Sequence, residues 1–155
     1  MNLDHLAKAL LNSAGDAVLA VDADGAIAFW NPGAERIFGF SRDEALGRPL
    51  DIIIPDNLRP RHNEGFAKTM ATGETRYGAG DLLAVPALTR DGKRISIAFS
   101  IVLLRDASGA PNGMAAILRD VTKPFEETRA LRKKIAELES AAQLMAKATM
   151  KGSVR

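Results

Sequence analysis

The chain has 155 residues, of which 46% are hydrophobic, with no cysteine and a formal net charge of +2. That length supports one core plus an accessory element, and 21 basic against 19 acidic residues provide no strong field to gather nucleic acid or an anionic membrane. The missing thiols exclude disulfides, thiolate metal sites, cysteine nucleophiles and a flavin–thiol adduct.

Residues Met1 to His5 lack a basic start leading into an apolar run, and no apolar stretch reaches the length of a membrane span, so the cytoplasm is the expected location. Leu3, Leu6, Leu10 and Leu11 recur at helical spacing, with Asp4 near the start and Gly15 as the stop. This predicts a short amphipathic helix within 1–14, a cap or dimer element. Ala17 to Val21 and Ala26 to Trp30 read as strands joined by the hairpin turn Asp22-Ala23-Asp24-Gly25. Asn31 before Pro32 is a helix start, and Ser41-Arg42-Asp43-Glu44 repeats the signal as a capping box. A third short helix is expected around Asp51 to Ile54.

A longer helix is expected from about Asp56 to Ala71, stopped by Thr72-Gly73. Strand candidates follow at about Thr75 to Leu88, Arg94 to Leu104 and Gly113 to Val121, separated by Thr89-Arg90-Asp91-Gly92 and Asp106-Ala107-Ser108-Gly109. Gly78-Ala79-Gly80-Asp81 has the look of half a phosphate loop, but lies between strand-like runs and reads as a bulge or edge kink. The order of elements gives an α+β domain with one antiparallel sheet over 15–122. Beyond it Leu131, Ile135, Leu138, Ala142 and Met145 alternate steps of four and three, the period of a coiled-coil seam, so 123–150 is expected to be a helix and 151–155 a disordered tail. The basic residues of that helix are interleaved with Glu126, Glu127, Glu137 and Glu139, which favours a solvated face over contact with DNA.

Leu58, His62, Phe66 and Met70 recur every fourth residue and stack on one helix face. His62 is carried inward with its apolar neighbours, and if that stripe lines a cavity, His62 is where a cofactor is held. The acidic residues Asp22, Asp24, Asp43, Glu44, Asp51 and Asp56 fall at turns and caps. No Ser-His-Asp set, zinc constellation or catalytic carboxylate pair is legible, so an enzyme is not expected.

The Asp22-Ala23-Asp24-Gly25 hairpin, Trp30-Asn31-Pro32-Gly33-Ala34, Phe38-Gly39-Phe40-Ser41 with Glu44 and Gly47, Arg90-Asp91-Gly92 and Arg119-Asp120-Val121-Thr122 together resemble a PAS domain over about Asn12 to Thr122. The resemblance implies a five-stranded antiparallel sheet with helices on one face, a sensory or dimerisation role, a homodimer, and a downstream signalling protein or fused output domain. It also implies that Arg119-Asp120-Val121-Thr122 leads from the last strand into an output helix. In that relay Asp120 accepts from helix N–H groups, Thr122 caps, and a nearby arginine pairs with the Asp.

Within that match, Leu58-Arg59-Pro60-Arg61-His62 is similar to the stretch carrying the iron ligand in haem-PAS oxygen sensors. What this implies is haem b with His62 as axial nitrogen, reporting gas or redox state. Leu58, Phe66, Met70, Ile97, Phe99, Met114 and Ile117 would form its apolar wall, and Arg59, Arg61 or Arg76 would meet the propionates. The chain departs from those sensors at Tyr77-Gly78-Ala79-Gly80-Asp81-Leu82-Leu83-Ala84, which has neither the arginine nor the methionine they place opposite the iron. Two alternatives stay open. One is a structural His62 in a cofactor-free dimerisation module; the other is a flavin such as FAD beside Trp30 and Asn31, set against Trp30 as a core aromatic.

Overall fold

Sixteen residues after the amino terminus the chain makes the expected hairpin, β1 (Ala17–Asp22) and β2 (Ile27–Trp30). Its turn is shaped by Asp22, whose Oδ1 accepts from the backbone N–H of Asp24 and of Ala26 at 3.0 Å each, and by Gly25 at φ 83°, a left-handed conformation that glycine adopts without cost. The computed structural model describes residues 1–13, 15–77 and 83–153. It divides into two units, Met1–Val121 and Thr122–Arg155.

In the first unit β3 (Leu83–Leu88), β4 (Arg94–Arg105) and β5 (Pro111–Asp120) complete a five-stranded sheet in the order β2-β1-β5-β4-β3, antiparallel at every pairing. The α+β class is therefore as expected. Strand alternation sends Ala17, Leu19, Val21, Ile95, Ile97 and Leu118 to the inner face, where they are buried. The helices α2 (Pro32–Phe38) and α3 (Arg42–Ala45), a 3-10 turn at Leu50–Ile53, a second at Asp56–Leu58 and α4 (Arg59–Thr72) follow β2. Trp30 and Phe38 anchor the core with ring centroids 5.5 Å apart, and the Trp30 indole donates to the Phe40 carbonyl at 3.0 Å.

The caps form where the residues predict them. Asn31 Oδ1 accepts from Ala34 N–H at 2.8 Å, with Pro32 in the first turn. Ser41 and Glu44 exchange backbone and side-chain bonds of 2.8 and 3.2 Å as a capping box. The helix expected from Asp56 is instead a 3-10 turn followed by α4, with Pro60 in the first turn of α4, where its missing N–H costs nothing. The strand expected from Thr75 begins only at Leu83. Thr75 Oγ1 bonds the Tyr77 carbonyl and Thr72 Oγ1 accepts from Glu74 N–H, local bonds that compete with a ladder. The glycine segment Gly78-Ala79-Gly80-Asp81 lies outside the described residues.

At the amino terminus α1 (Leu3–Leu11) is capped by Asn2 rather than started by Asp4, and none of its residues is buried. The second unit is α5 (Thr122–Gly152), which runs two residues past its expected end and exposes Leu131, Ile135, Leu138 and Met145. Among the described residues no helix is long and apolar enough to cross a membrane.

Candidate functional site

Helix α4 is tied down along its length. At its start Arg59 Nε donates to the Ile54 carbonyl at 3.0 Å and Arg59 Nη1 meets Asp56 Oδ1 at 2.8 Å. Midway, the Phe66 ring lies against the β1–β2 turn, 3.5 Å from where a Cβ on Gly25 would be. At its end the Gly73 carbonyl accepts from Arg105 Nη2 at 2.7 Å, while Arg105 Nη1 reaches Gly109 in the β4–β5 turn at 2.9 Å.

Between those ties Leu58, His62, Phe66 and Met70 are all half-buried, whereas Arg61, Asn63, Glu64 and Lys68 are exposed. The stripe thus exists as its spacing predicts, although the fully buried residue of α4 is Thr69, whose Oγ1 donates back to the Gly65 carbonyl at 3.0 Å. On the sheet, the inner row of β4 passes from buried Ile95 and Ile97 to half-buried Phe99, Ile101 and Leu103, and Met114 on β5 pairs with Leu103. Large apolar side chains that stop short of full burial on both α4 and the inner sheet face are suited to line a dry site for a flat apolar ligand.

His62 is the one titratable group on that stripe. Its Nδ1 lies 3.2 Å from Asn63 Oδ1, and Asn63 Nδ2 donates to Asp51 Oδ2 at 3.4 Å. Nε2 has no hydrogen-bond partner among the described residues. No group of three or more acidic or histidine side chains fit to hold a bare metal ion occurs among the described residues. A single imidazole with one open nitrogen fits a metal already held by a macrocycle, which needs only an axial donor.

Two of the expected wall and rim residues are placed elsewhere. Ile117 is 50% exposed on the outer face of the sheet, because residues 114 and 117 differ by an odd step and a strand turns them to opposite sides. Arg59 is committed to Ile54 and Asp56, so it positions the start of α4 and is not available to a propionate. Ile97, Phe99 and Met114 do face inward, and two exposed arginines flank the stripe, Arg61 beside His62 and Arg76 past the end of α4. Trp30 and Asn31 lie in the core, both about 1% exposed and with their side-chain polar atoms bonded. The stretch opposite the iron ligand in the resemblance falls largely on 78–82, outside the described residues.

At the end of β5 Arg119 reaches back to Asp16, with Nε and Nη2 each 2.9 Å from a carboxylate oxygen. Asp120 closes β5, Val121 N–H donates to Ser96 at 2.9 Å, and Thr122 opens α5. Sequence spacing carries no signal for a contact between residues 103 apart.

The Arg119 hydrogen bond holds the Asp16 carboxyl below its ordinary value, with desolvation opposing and the charges of Arg119 and Arg36 adding to the depression. A carboxylate depressed in the folded state stabilises it above the unfolded-state pKa, and that increment disappears as pH falls through the folded value. Asp16 is 35% exposed, which limits the pair to under about 1 kcal/mol. Urea midpoints of the native chain and Asp16→Asn are therefore expected to differ at neutral pH and to converge below about pH 4. A constant difference across that range would show that the ion pair contributes nothing.

A family model described as the PAS fold matches residues 11–124. The chain is 29% identical over 147 residues to the sensor protein FixL of Bradyrhizobium diazoefficiens, an alignment covering 94% of this chain and 28% of that protein. It is 31% identical over 94 residues to the oxygen sensor protein DosP of Escherichia coli, covering 53% of this chain and 12% of that protein. Among solved structures, the PAS domain of a Colwellia psychrerythraea protein superposes with a TM-score of 0.65 at 24% identity, covering 78% of this chain and 98% of that one. The chain spans less than a third of the length of the curated relatives it matches.

Proposed function

Because this chain belongs to the PAS fold family, we propose that it is the sensory module of a cytoplasmic signal-transduction protein that binds haem b through His62 and reports gas or redox state through α5. The observation that carries the proposal is His62 itself, half-buried on an apolar stripe with Nδ1 engaged and Nε2 without a partner among the described residues. The similarity to proteins named as a sensor and an oxygen sensor supports the same reading.

When bound, haem supplies an iron centre that responds to gas and oxidation state. The chain's own residues provide the rest. His62 would hold the iron through Nε2, Leu58, Phe66 and Met70 would exclude water on the α4 side, and Ile97, Phe99 and Met114 would do so from the sheet. Arg61 and Arg76 are assigned to the propionates. Asp120 and Thr122 are assigned to the relay, and a ligand acts through them only if its affinity differs between two arrangements of the output helix. The output belongs to a fused domain or a partner, with no catalytic step in this module. Titrating the purified protein with hemin tests the proposal. A Soret band saturating at one haem per chain supports it, and no band beyond that of free hemin rules it out.

The cofactor-free alternative rests on the surfaces left bare in the first unit. Leu3 and Leu10 of α1 are 77% and 62% exposed, and Val102 on the outer sheet face is 57% exposed. A nine-residue helix is marginal alone, so we assign α1 and the outer sheet face to a homodimer interface that serves either reading. Leu6→Glu with Leu10→Glu is expected to weaken the dimer by about 3 kcal/mol, on the order of 100-fold. Sedimentation velocity over a concentration series reads this directly, and an unchanged dimer in the double variant would place the interface elsewhere.

A further inference from the structure

Asp51, Asn63 and His62 form a polar chain whose hydrogens have one consistent arrangement. Asn63 Nδ2 lies 3.4 Å from Asp51 Oδ2, and an ionised carboxylate only accepts. The amide of Asn63 must therefore offer its NH2 to Asp51. Its carbonyl oxygen then faces the imidazole, 3.2 Å from Nδ1 of His62. An amide oxygen has no proton to give, so Nδ1 carries the hydrogen and the lone pair of the neutral ring sits on Nε2. An unconstrained histidine in water favours the opposite tautomer.

We propose that Asp51 and Asn63 are positioning residues that hold His62 in its Nδ1–H tautomer and so present Nε2 as a ready Lewis base. The identity of the ligand rests on the haem reading above, whereas the tautomer lock does not. The same two residues fix the direction of the ring as well as its protonation, since a donor hydrogen bond at Nδ1 constrains rotation about the last side-chain bond. Asp51 belongs to the 3-10 turn at Leu50–Ile53, and the Arg59 bonds to Ile54 and Asp56 hold the following segment to the start of α4. Arg59 thereby serves the site at one remove. It keeps Asp51 opposite the turn of α4 that carries Asn63.

The chain contains only two histidines, and His5 on exposed α1 is an internal reference. The test is a long-range proton–nitrogen correlation of the ring nitrogens of histidine-labelled protein without haem, at a pH of about 8, where imidazole is neutral. His62 is expected to show a protonated Nδ1 and an unprotonated Nε2, and His5 the reverse weighting. Asn63→Leu is expected to return His62 to the His5 pattern, and Asp51→Ala to shift it part of the way. Asn63 is exposed and Asp51 half-buried, and Asn63→Ala serves if leucine disturbs the amide fingerprint.

A His62 pattern matching His5 in the native chain, or one indifferent to Asn63→Leu and Asn63→Ala, would overturn the proposal. Hemin affinity supplies the second readout. Asn63→Leu should lower it about 10-fold, the usual cost of losing the partner of a ligating histidine. A native chain that shows the locked tautomer but takes up no hemin would leave the lock standing and remove only the haem reading.

Discussion

His62→Ala is expected to abolish the saturable Soret band on hemin addition and to lower affinity by more than about 100-fold, beyond the loss usual for an outer-shell partner alone. Haem would rely on one histidine of this chain, because no other histidine lies on the stripe and His5 sits on exposed α1. The fold should not change. The His62 ring is bonded to its neighbour Asn63 and is only half-buried, so the unfolding free energy should move by less than about 1 kcal/mol, as at other sites away from the core. Far-ultraviolet circular dichroism and urea unfolding separate the two effects. A variant that keeps the native band with the same stoichiometry would sink the assignment of His62, and His5→Ala should be without effect.

Asn31→Ala carries the largest expected loss of stability, about 3–5 kcal/mol of the ~5–15 typical of a domain. Asn31 Oδ1 accepts from Val18 and Ala34 at 2.8 Å each, while Nδ2 donates to the Ser13 and Asp16 carbonyls at 2.9 and 3.1 Å. Removing the cap of α2 costs about 1 kcal/mol, and each backbone group left dry adds about 1–3 kcal/mol. One side chain joins the start of β1, the start of α2 and the segment leading in from α1. Asn31→Asp keeps both acceptor bonds and loses both donor bonds, so it should fall between alanine and the native chain. Urea unfolding measures the series. A loss below about 1 kcal/mol for alanine would mean that water takes over the freed groups.

What could be read from the residues is local. The Asp22 turn, the Asn31 cap and the Ser41–Glu44 box each depend on groups within four residues, so side-chain chemistry and spacing are enough to place them. The His62 stripe was legible for the same reason, since helical period alone puts Leu58, Phe66 and Met70 on its face. The separation of Met114 from Ile117 was within reach too, because alternation along β5 forbids both from facing inward. The start of β3 was not, since strand propensity in Thr75 to Tyr77 loses to bonds from Thr72 and Thr75. Nor were the partners of Arg59 and Arg119. A flexible cation chooses among several acids, and only the folded backbone shows which lies within reach.

The strand order has a bearing on how the molecule is made. Within the first unit β1 is synthesised well before β5, yet its place is inside the sheet, between β2 and β5. Ala17 pairs with Leu118 and Asp16 with Arg119, so the sheet cannot close until nearly all of the first unit has left the ribosome. At about 5–20 residues per second the 103 residues that follow Asp16 up to Arg119 take on the order of 5–20 s to emerge. For that time the β1–β2 hairpin presents an unpaired edge with Val18 and Ala20 on it, a template for any passing strand. Non-local closure of this kind also slows refolding. The nascent chain is thus most exposed to aggregation in the interval before β5 arrives, and chaperone dependence should track the translation time of the segment between the two strands.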